Sequence, residues 1–249
     1  DNVLGTLPDN PTGYDVSVTA TDVAGNVSTD GTTGELVIDT TDPAAPSTPD
    51  LDDGSDHGIA DDDNLTKTTT PTISGTAENG STVKLTSDIA GIVVATTTAD
   101  GGGAWSVATS ELDDGAHNLT ATATDTAGNT GVASAALAIT VDTTAAAIPS
   151  IPDLAAVSDS GTADNDDLTN DTTPTLTGTS DTGASITVSS SVDGAVGTAT
   201  ADGAGIWVLT SSVLTEGAHD LTATATDAAG NTSSASAALA ITVDTTAPT

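Results

Sequence analysis

The sequence lacks cysteine, methionine and phenylalanine, and it has two tryptophans and one tyrosine in 249 residues. The absence of cysteine excludes disulfide bonds, thiolate metal sites and a cysteine nucleophile. It does not indicate the cytosol, because extracellular domains can be held together by metal ions instead. Since burial depends on valine, isoleucine, leucine and alanine, we expect each domain to be only marginally stable.

Positive charge is also nearly absent. Lys67 and Lys84 are the two basic residues against 36 acidic ones, which gives a formal net charge of −34. Binding to nucleic acid or to anionic lipid depends on lysine and arginine, so we expect neither as a partner. No apolar run approaches the roughly 18 residues of a membrane span, and the start does not read as a signal peptide. The charge partners that the composition allows are cations.

One segment occurs three times along the chain. It reads TATDVAGN at 19–26, TATDTAGN at 122–129 and TATDAAGN at 224–231, so its aspartates lie 103 and 102 residues apart. A period of this length indicates repeated domains and not a solenoid. We therefore divide the chain into a partial repeat at 1–39 and two full repeats at 40–142 and 143–249. Because the chain opens inside a repeat, we expect it to be a segment of a longer protein.

Short alternating segments separated by turn residues fill each full repeat, which is typical of a β-sandwich. In the middle repeat we expect strands near 47–51, 70–76, 82–87, 92–98, 104–108, 117–124 and 134–141. This number of strands is immunoglobulin-like. The predicted fold is all-β: tandem immunoglobulin-like β-sandwich domains, about seven strands each, in an extended rod.

The few aromatic and histidine residues stand at matching positions. Tyr14, His117 and His219 each lie eight positions before the aspartate of the repeated segment, at the start of the sixth strand. Sandwiches often place a tyrosine there whose hydroxyl fixes a corner, and a histidine can make a similar hydrogen bond. Trp105 and Trp207 follow glycine-rich turns, and we expect both to be core anchors. A structural role is therefore favoured over catalysis for these histidines.

Acidic residues concentrate in the loops, while the strand faces carry threonine and serine. With immunoglobulin connectivity the acidic loop residues lie at the two ends of each sandwich, where successive repeats would meet. Grouped carboxylates raise the free energy of the folded state unless they are protonated, solvated or bound to a cation. Calcium suits aspartate, carbonyl and asparagine oxygens better than magnesium or softer metals. The aspartates that persist at matching loop positions in the two full repeats are Asp56, Asp61, Asp63, Asp159, Asp164 and Asp166.

These loops do not match the calcium motifs with fixed spacing. They lack the glycine and glutamate of an EF-hand loop, and the nonapeptide of calcium β-rolls is missing. A solvated acidic surface, adapted to high salt, is therefore an open alternative to a metal site.

The repeated TATDxAGN segment, the VDTT segments at 141–144 and 243–246, and the run SDSGTADNDDLTNDTTPTLTGT at 158–179 carry a resemblance. Together they resemble the tandem bacterial immunoglobulin-like repeats of giant secreted adhesins, the RTX-type and biofilm-associated surface proteins. The resemblance covers essentially the whole chain. It implies an extracellular stalk at the bacterial cell surface, exported by type I secretion, whose partners are Ca²⁺ and the neighbouring repeats of the same chain.

The resemblance also implies that calcium binds at or near repeat junctions, which adds the aspartates of the repeated segments and those that follow the last strand of each repeat. The complete set of candidate calcium ligands is Asp22, Asp39, Asp56, Asp61, Asp63, Asp125, Asp142, Asp159, Asp164, Asp166, Asp227 and Asp244.

Three functions are compatible with the sequence. The favoured one is a structural extender of an adhesin that calcium makes rigid. The alternative is a ligand-binding module, in which an outward threonine face such as Thr120, Thr122 and Thr124 binds a glycan or ice. An enzyme is least favoured, because no nucleophile elbow, catalytic histidine set or recurring carboxylate pair stands out.

Overall fold

A computed structural model of the chain describes residues 7–31, 33, 34, 36–58, 60, 62–89, 91–160, 163 and 166–247. Every secondary-structure element in this part of the chain is a β-strand. No helix that could cross a bilayer is found there. The predicted all-β class is confirmed. The strands are β1 (Asn10–Tyr14), β2 (Thr19–Thr21), β3 (Val27–Thr29), β4 (Leu36–Ile38), β5 (Asp50–Leu51), β6 (Leu65–Thr66), β7 (Thr72–Thr76), β8 (Thr82–Ser87), β9 (Val93–Thr98), β10 (Ala104–Ala108), β11 (Gly115–Thr124), β12 (Leu137–Val141), β13 (Asp153–Leu154), β14 (Leu168–Thr169), β15 (Thr175–Thr179), β16 (Ser185–Ser190), β17 (Gly194–Thr200), β18 (Ile206–Thr210), β19 (Gly217–Thr226) and β20 (Leu239–Val243).

Packing divides the chain into two compact units. The first comprises Asp1–Asp52, Thr70–Leu112 and His117–Ala138, and the second comprises Asp53–Thr69, Asp113–Ala116 and Ile139–Thr249. The acidic segment 53–69 is therefore grouped with the second unit. The division into repeats at 1–39, 40–142 and 143–249 is a division by sequence, and it stays a prediction.

The second unit contains a complete sandwich. One sheet has the strand order β13-β15-β18, and the other has the order β14-β20-β19-β16-β17. Neighbouring strands are antiparallel except β14 and β20, which run parallel with Leu168 opposite Thr242. The start of the sandwich thus contributes β13 to one sheet and β14 to the other. The connection between them carries the acidic run that begins at Ser158.

The core of this unit lies between the two sheets. Along β19 the side chains of Leu221, Ala223 and Ala225 are fully buried, while the threonines between them face outward, as the two-residue period of a strand requires. Trp207 is fully buried, and its ring lies so close to Gly178 that a Cβ there would collide with ring carbon Cζ2. The prediction of a core tryptophan is confirmed, and the glycine in TLTGT is explained by the ring that covers it.

The first unit repeats this plan. Its three-stranded sheet has the order β10-β7-β5, and β12, β11, β8 and β9 are successive neighbours in the sheet whose fifth strand is β6. Trp105 is buried against Gly75, where an added Cβ would lie 2.6 Å from Cζ2. Two small sheets, β1-β4 and β2-β3, precede this sandwich in the sequence. The seven predicted strands lie within three residues of observed strands at each end.

The corner residues make the hydrogen bonds expected of them. Tyr14 Oη donates to the Pro8 carbonyl at 2.8 Å. His219 Nε2 lies 2.6 Å from the Thr215 carbonyl oxygen, which can only accept, so Nε2 carries the hydrogen. His219 Nδ1 lies 2.9 Å from Ser190 Oγ and 3.4 Å from Asp193 Oδ2. The predicted corner hydrogen bond of this buried histidine is confirmed.

Candidate functional site: acidic loops and asparagine turns

The repeated segment ends in a tight turn whose aspartate and asparagine are bonded to each other. In the first unit Asp125 Oδ1 accepts from the backbone N–H groups of Ala127 and Asn129, both at 2.9 Å. Asp125 Oδ2 accepts from Asn129 Nδ2 at 2.8 Å. The Asn129 side chain, helped by backbone donors, lowers the pKa of Asp125. The equivalent bond from Asn26 lowers the pKa of Asp22. These carboxylates therefore shape the turn, and their role as metal ligands stays a prediction.

We name residues 22–26, 125–129 and 227–231 the asparagine turns. In two of them the asparagine amide also reaches a backbone carbonyl far away in the sequence. Asn129 Nδ2 donates to the Asp39 carbonyl at 3.0 Å within the first unit, and Asn231 Nδ2 donates to the Asp142 carbonyl at 2.8 Å within the second. Because the turn aspartate accepts one hydrogen of the amide, the other hydrogen is directed outward.

The acceptors of these bonds belong to the exit aspartates, which we define as Asp39, Asp142 and Asp244, each directly after the last strand of its repeat. Each carboxylate accepts the backbone N–H two residues on, at 3.0 Å for Asp39 and at 2.9 Å for Asp142 and Asp244. The sequence marked these residues as candidate ligands through their carboxylates. The structure shows in addition that two of them bind asparagine through their backbone oxygen.

A cleft of about 280 Å³ lies beside Asp39 in the first unit, and Asp9 and Glu78 also line it. Asp9 accepts hydrogen bonds from Thr40 Oγ1 at 2.7 Å and from Thr41 Oγ1 at 3.1 Å. The bond from Thr40 lowers the pKa of Asp9. The cleft thus holds three acidic side chains, of which Asp9 is already stabilised by threonine hydroxyls.

The persistent loop aspartates separate into buried and exposed positions. Asp56 and Asp159 are each only 8% exposed. Asp63 and Asp166 are exposed, and each accepts the N–H two residues on, at the start of β6 and of β14. Asp61 and Asp164 lie outside the described residues. Within the described part of the chain no three histidine or acidic side chains are grouped as a metal site.

Asp159 lies in an unusual environment for a carboxylate. Its Oδ1 is buried and accepts no hydrogen bond from the described residues. Nearby Asp167, which the sequence analysis did not select, has a raised pKa because of its burial and because of the charges of Asp159, Asp153 and Asp166. A buried carboxylate oxygen without a donor, with a second carboxylate nearby, is a position that favours a cation.

Asp167 occupies a left-handed backbone position, with φ of 59°. Its counterpart Asn64 has φ of 58°, and the Asn64 N–H donates to Asp56 Oδ2 at 3.2 Å. Asparagine and aspartate tolerate this conformation better than other side chains with a Cβ. The exchange of one for the other between the two copies was the sequence signal that could have identified Asp167.

The segment 53–69 packs on an asparagine turn, and both belong to the second unit. Lys67 Nζ donates to the Gly230 carbonyl at 2.9 Å. Gly58 lies so close to Ala228 that a Cβ at Gly58 would collide with the Ala228 carbonyl oxygen. The position that matches Lys67 in the following copy is Asn170. One of the two lysines in the chain is therefore used at this contact.

The fold and its recurring turns define tandem all-β domains of the immunoglobulin-like class. The sequence profile of the bacterial Ig-like domain matches residues 43–143 and 145–245. The chain therefore belongs to the bacterial Ig-like domain family, and the resemblance recognised in its motifs is confirmed at that level. A search of curated proteins gives no match.

Several solved structures are similar to the chain. A biofilm-associated protein (BSP domain) shares 22% identity at a TM-score of 0.29, over 74% of this chain and 29% of that one. Fibronectin(III)-like modules of CbhA from Clostridium thermocellum share 20% identity at 0.40, over 72% and 87%. The human OSCAR ligand-binding domain shares 12% at 0.34, over 81% and 100%. The chain thus spans less than a third of the length of the biofilm-associated structure.

Proposed function

We propose that the chain is a non-catalytic extender segment of a secreted adhesin at the bacterial cell surface, and that calcium bound by its acidic loops stiffens it. Type I secretion and an RTX-type architecture belong to the same proposal. Two family domains in tandem, built on one plan, support a repeated spacer. The corner histidine His219 is occupied by hydrogen bonds to Thr215 and Ser190, which supports a structural and not a catalytic use.

The observation that carries the calcium proposal is the buried Asp159 carboxylate. Its Oδ1 accepts no hydrogen bond from the described residues. A buried charge without a partner is costly, and removal of water makes the repulsion from neighbouring carboxylates stronger. A calcium ion would supply the missing positive charge, with Asp159 as an oxygen ligand and Asp166 and Asp167 as nearby carboxylates of the same loop.

The other candidate ligands fit a metal less well. The carboxylates of the asparagine turns accept two or three hydrogen bonds each from their own turn. The exit aspartates each accept one backbone hydrogen bond and keep oxygen lone pairs available. We therefore rank the Asp159 loop first and the exit aspartates second.

The size of the effect is appreciable for a small-residue core. If extracellular calcium is ~10 times a dissociation constant in the millimolar range, one site stabilises the folded state by about 1.4 kcal/mol. Total stabilities of roughly 5 to 15 kcal/mol are typical of native domains, so a few sites change the fraction folded considerably.

Calcium calorimetry on the full chain, with melting curves and small-angle scattering in calcium and in chelator, tests this function. We expect calcium to raise the melting temperature and to reduce flexibility. Asp159→Asn should remove one class of sites. Asp220→Asn is the matched control, because Asp220 is an exposed aspartate on β19 that is not in an acidic loop. Melting and scattering that do not respond to calcium, or unchanged stoichiometry in Asp159→Asn, would contradict the proposal.

A second candidate function is supported by the outer face of the five-stranded sheet in the second unit. Thr198, Thr187 and Thr224 lie side by side on β17, β16 and β19, and Thr200, Ser185 and Thr226 form the adjacent row. Strands are ~4.8 Å apart, so the hydroxyls form a regular uncharged array that suits a glycan or ice. In the first unit Lys84 interrupts the matching row between Thr96 and Thr122.

Ice-affinity and glycan-array assays on the full chain test this candidate. Binding that is lost in Thr187→Lys and kept in Thr210→Lys, on the other sheet, would favour it. No binding to either ligand would leave the extender as the function of the chain.

A further inference from the structure

The turn between β7 and β8 carries the one asparagine–glycine pair in the sequence, Asn79–Gly80. Asparagine is a thermolabile residue, because the backbone nitrogen of the next residue can attack its side-chain carbonyl carbon. Glycine favours this attack, since it has no Cβ to hinder a close approach of the backbone. Both residues are exposed, so water and hydroxide reach them. The pair is therefore a chemically reactive position on the surface of the first unit.

This turn is hydrogen-bonded to the turn between β9 and β10. We name residues 77–81 the Asn79 turn and residues 99–103 the Gly101 turn. Asn79 Nδ2 donates to the Gly101 carbonyl at 2.9 Å. The backbone N–H of Gly80 donates to the Ala99 carbonyl at 3.1 Å. The neighbouring turn therefore holds both groups that would react, the side-chain amide and the backbone nitrogen.

Loss of the side-chain amide follows a sequence of steps that needs only water and hydroxide. Hydroxide removes the Gly80 amide proton, and the nitrogen then attacks Asn79 Cγ. A bond forms between Gly80 N and Cγ while the bond from Cγ to Nδ2 breaks. The leaving group takes a proton from water and departs as ammonia, which restores hydroxide and leaves a cyclic succinimide in the main chain. Water opens the ring at either carbonyl, so position 79 becomes aspartate or isoaspartate.

The hydrogen bonds between the two turns oppose the first of these steps. The proton that hydroxide must remove lies in the bond from Gly80 to the Ala99 carbonyl. A backbone N–H in such a bond becomes available only when the structure opens locally. The bond from Asn79 Nδ2 to Gly101 must also break before the side chain can turn towards Gly80. The reaction therefore requires the two turns to separate.

We propose that Asn79 is a site of spontaneous deamidation, which reacts when the Asn79 turn separates from the Gly101 turn and whose product cannot restore the bond to Gly101. A carboxylate accepts hydrogen bonds and does not donate them, so neither aspartate nor isoaspartate can bind the Gly101 carbonyl. Glu78 and Asp100 already place a carboxylate in each turn. The change is irreversible, so the deamidated fraction of the chain records how long the turns have been open.

The second copy of the domain keeps the backbone of these turns without the reactive pair. Gly183 N–H donates to the Ala201 carbonyl at 3.0 Å, which matches the bond of Gly80. Thr182 stands at the position of Asn79. The second unit therefore supplies matched controls within the same chain. No step of the reaction needs a metal ion, so calcium binding and deamidation can each fail without the other.

Incubation of the full chain in mildly alkaline buffer, with and without urea, tests the assignment. Peptide mass spectrometry measures the change in mass at Asn79, and Asn118 is the internal reference because leucine follows it. In urea we expect Asn79 to react faster than Asn118. In the folded chain Asn79 should react at least about ten-fold more slowly than in urea, because bonded turns open rarely. Equal Asn79 rates in the two conditions, or an Asn79 no faster than Asn118 in urea, would overturn the proposal.

A variant that forces the turns apart supplies the second test. A Cβ on Gly103 would lie 2.6 Å from the Ala77 carbonyl oxygen and 3.0 Å from Asn79 Oδ1. Gly103→Ala should therefore speed deamidation of Asn79 several-fold in the folded chain. Gly205→Ala is the matched control, because a Cβ there meets the Ser180 carbonyl oxygen in the second unit. Equal Asn79 rates in the two variants would show that contact between the turns does not control the reaction.

Hydrogen exchange decides the question if Gly103→Ala does not fold. Exchange at Gly80 and deamidation of Asn79 begin with loss of the same proton, so mild urea should raise both rates by the same factor in the parent chain. Deamidation that stays constant while Gly80 exchange accelerates would contradict the proposal.

The effect of the product is measured with Asn79→Asp. Exchange at Gly80 should be faster in this variant than in the parent chain, because the bond to the Gly101 carbonyl is lost. Thr182→Asp adds the same charge at the matching position of the second copy, and it should change exchange at Gly183 less. Equal acceleration in the two variants would overturn the assigned role of the bond, because added charge alone would then loosen the turn.

Discussion

The two copies of the domain share their strand order, and two of the positions at which their charge differs lie in the loop before β6 and before β14 or just after these strands. At the left-handed position stand Asn64 in one and Asp167 in the other, with φ of 58° and 59°. Three residues further on stand Lys67 and Asn170. In the first loop the backbone N–H of Asn64 donates to Asp56 and the Lys67 ammonium donates to the Gly230 carbonyl, whereas in the second the Asp167 carboxylate lies near Asp159. The same left-handed backbone position therefore holds a neutral side chain in one copy and a carboxylate in the other.

The largest loss of stability should come from disrupting a contact that both copies share, in which a tryptophan ring packs on a glycine. Gly178→Ala and Gly75→Ala place a methyl group against the rings of Trp207 and Trp105. We expect each to destabilise its unit by about 2 to 3 kcal/mol, because overpacking a filled core forces side chains from their preferred rotamers. Urea unfolding followed by circular dichroism measures this.

Gly203→Ala is the matched control for this pair, since a Cβ at Gly203 would meet no atom within 4 Å. Stabilities of Gly178→Ala and Gly203→Ala that do not differ would show that the ring can move aside without cost.

Exchange of the loop residue tests the difference between the copies directly. In chelator Asp167→Asn should stabilise the second unit by less than about 1 kcal/mol, because it removes a carboxylate that is repelled by Asp159 and water screens charges at this partly exposed position. Asn64→Asp should have the opposite sign. Asp167→Asn should also weaken calcium binding, which calorimetry measures.

Asp181→Asn serves as the control for Asp167→Asn, because Asp181 is an exposed aspartate in a different turn of the same unit. If both substitutions change stability equally, the effect reflects the net charge of −34 and not the neighbourhood of Asp159.

The smallest effect should come from the lysine. Lys67→Met keeps the apolar stem and removes the bond to the Gly230 carbonyl, which should cost roughly 0.5 to 1 kcal/mol and speed hydrogen exchange in residues 227–231. Lys84→Met, on the outer face of β8, removes the same charge without touching that turn. Equal exchange rates in the two variants would argue that the ammonium contributes only its charge.

Most strands could be predicted from the sequence because their pattern reports burial. NLTATAT alternates small apolar and threonine residues, and the structure buries Leu119, Ala121 and Ala123. The two-residue strands β6 and β14 could not be predicted. A segment this short shows no alternation, and its parallel pairing with the last strand of the sandwich depends on tertiary structure.

The candidate site was predictable in its residue types and not in its contacts. Persistence at matching positions selected Asp159, and burial supports that choice. Asp167 was missed because a left-handed backbone position leaves no trace in hydrophobic periodicity. The bond from Asn231 to Asp142 joins residues 89 positions apart, so only the folded chain shows that the asparagine of the repeated segment has a second partner.

The acceptor in the asparagine contact is a main-chain oxygen, and this has a genetic consequence. A substitution at Asp39 or Asp142 changes the side chain but leaves the carbonyl in place, so one half of the contact survives point mutation. The other half lies in a segment that every copy encodes. Unequal recombination that adds or deletes one copy would therefore join matching halves at the new boundary, so the number of copies can change without compensating mutations.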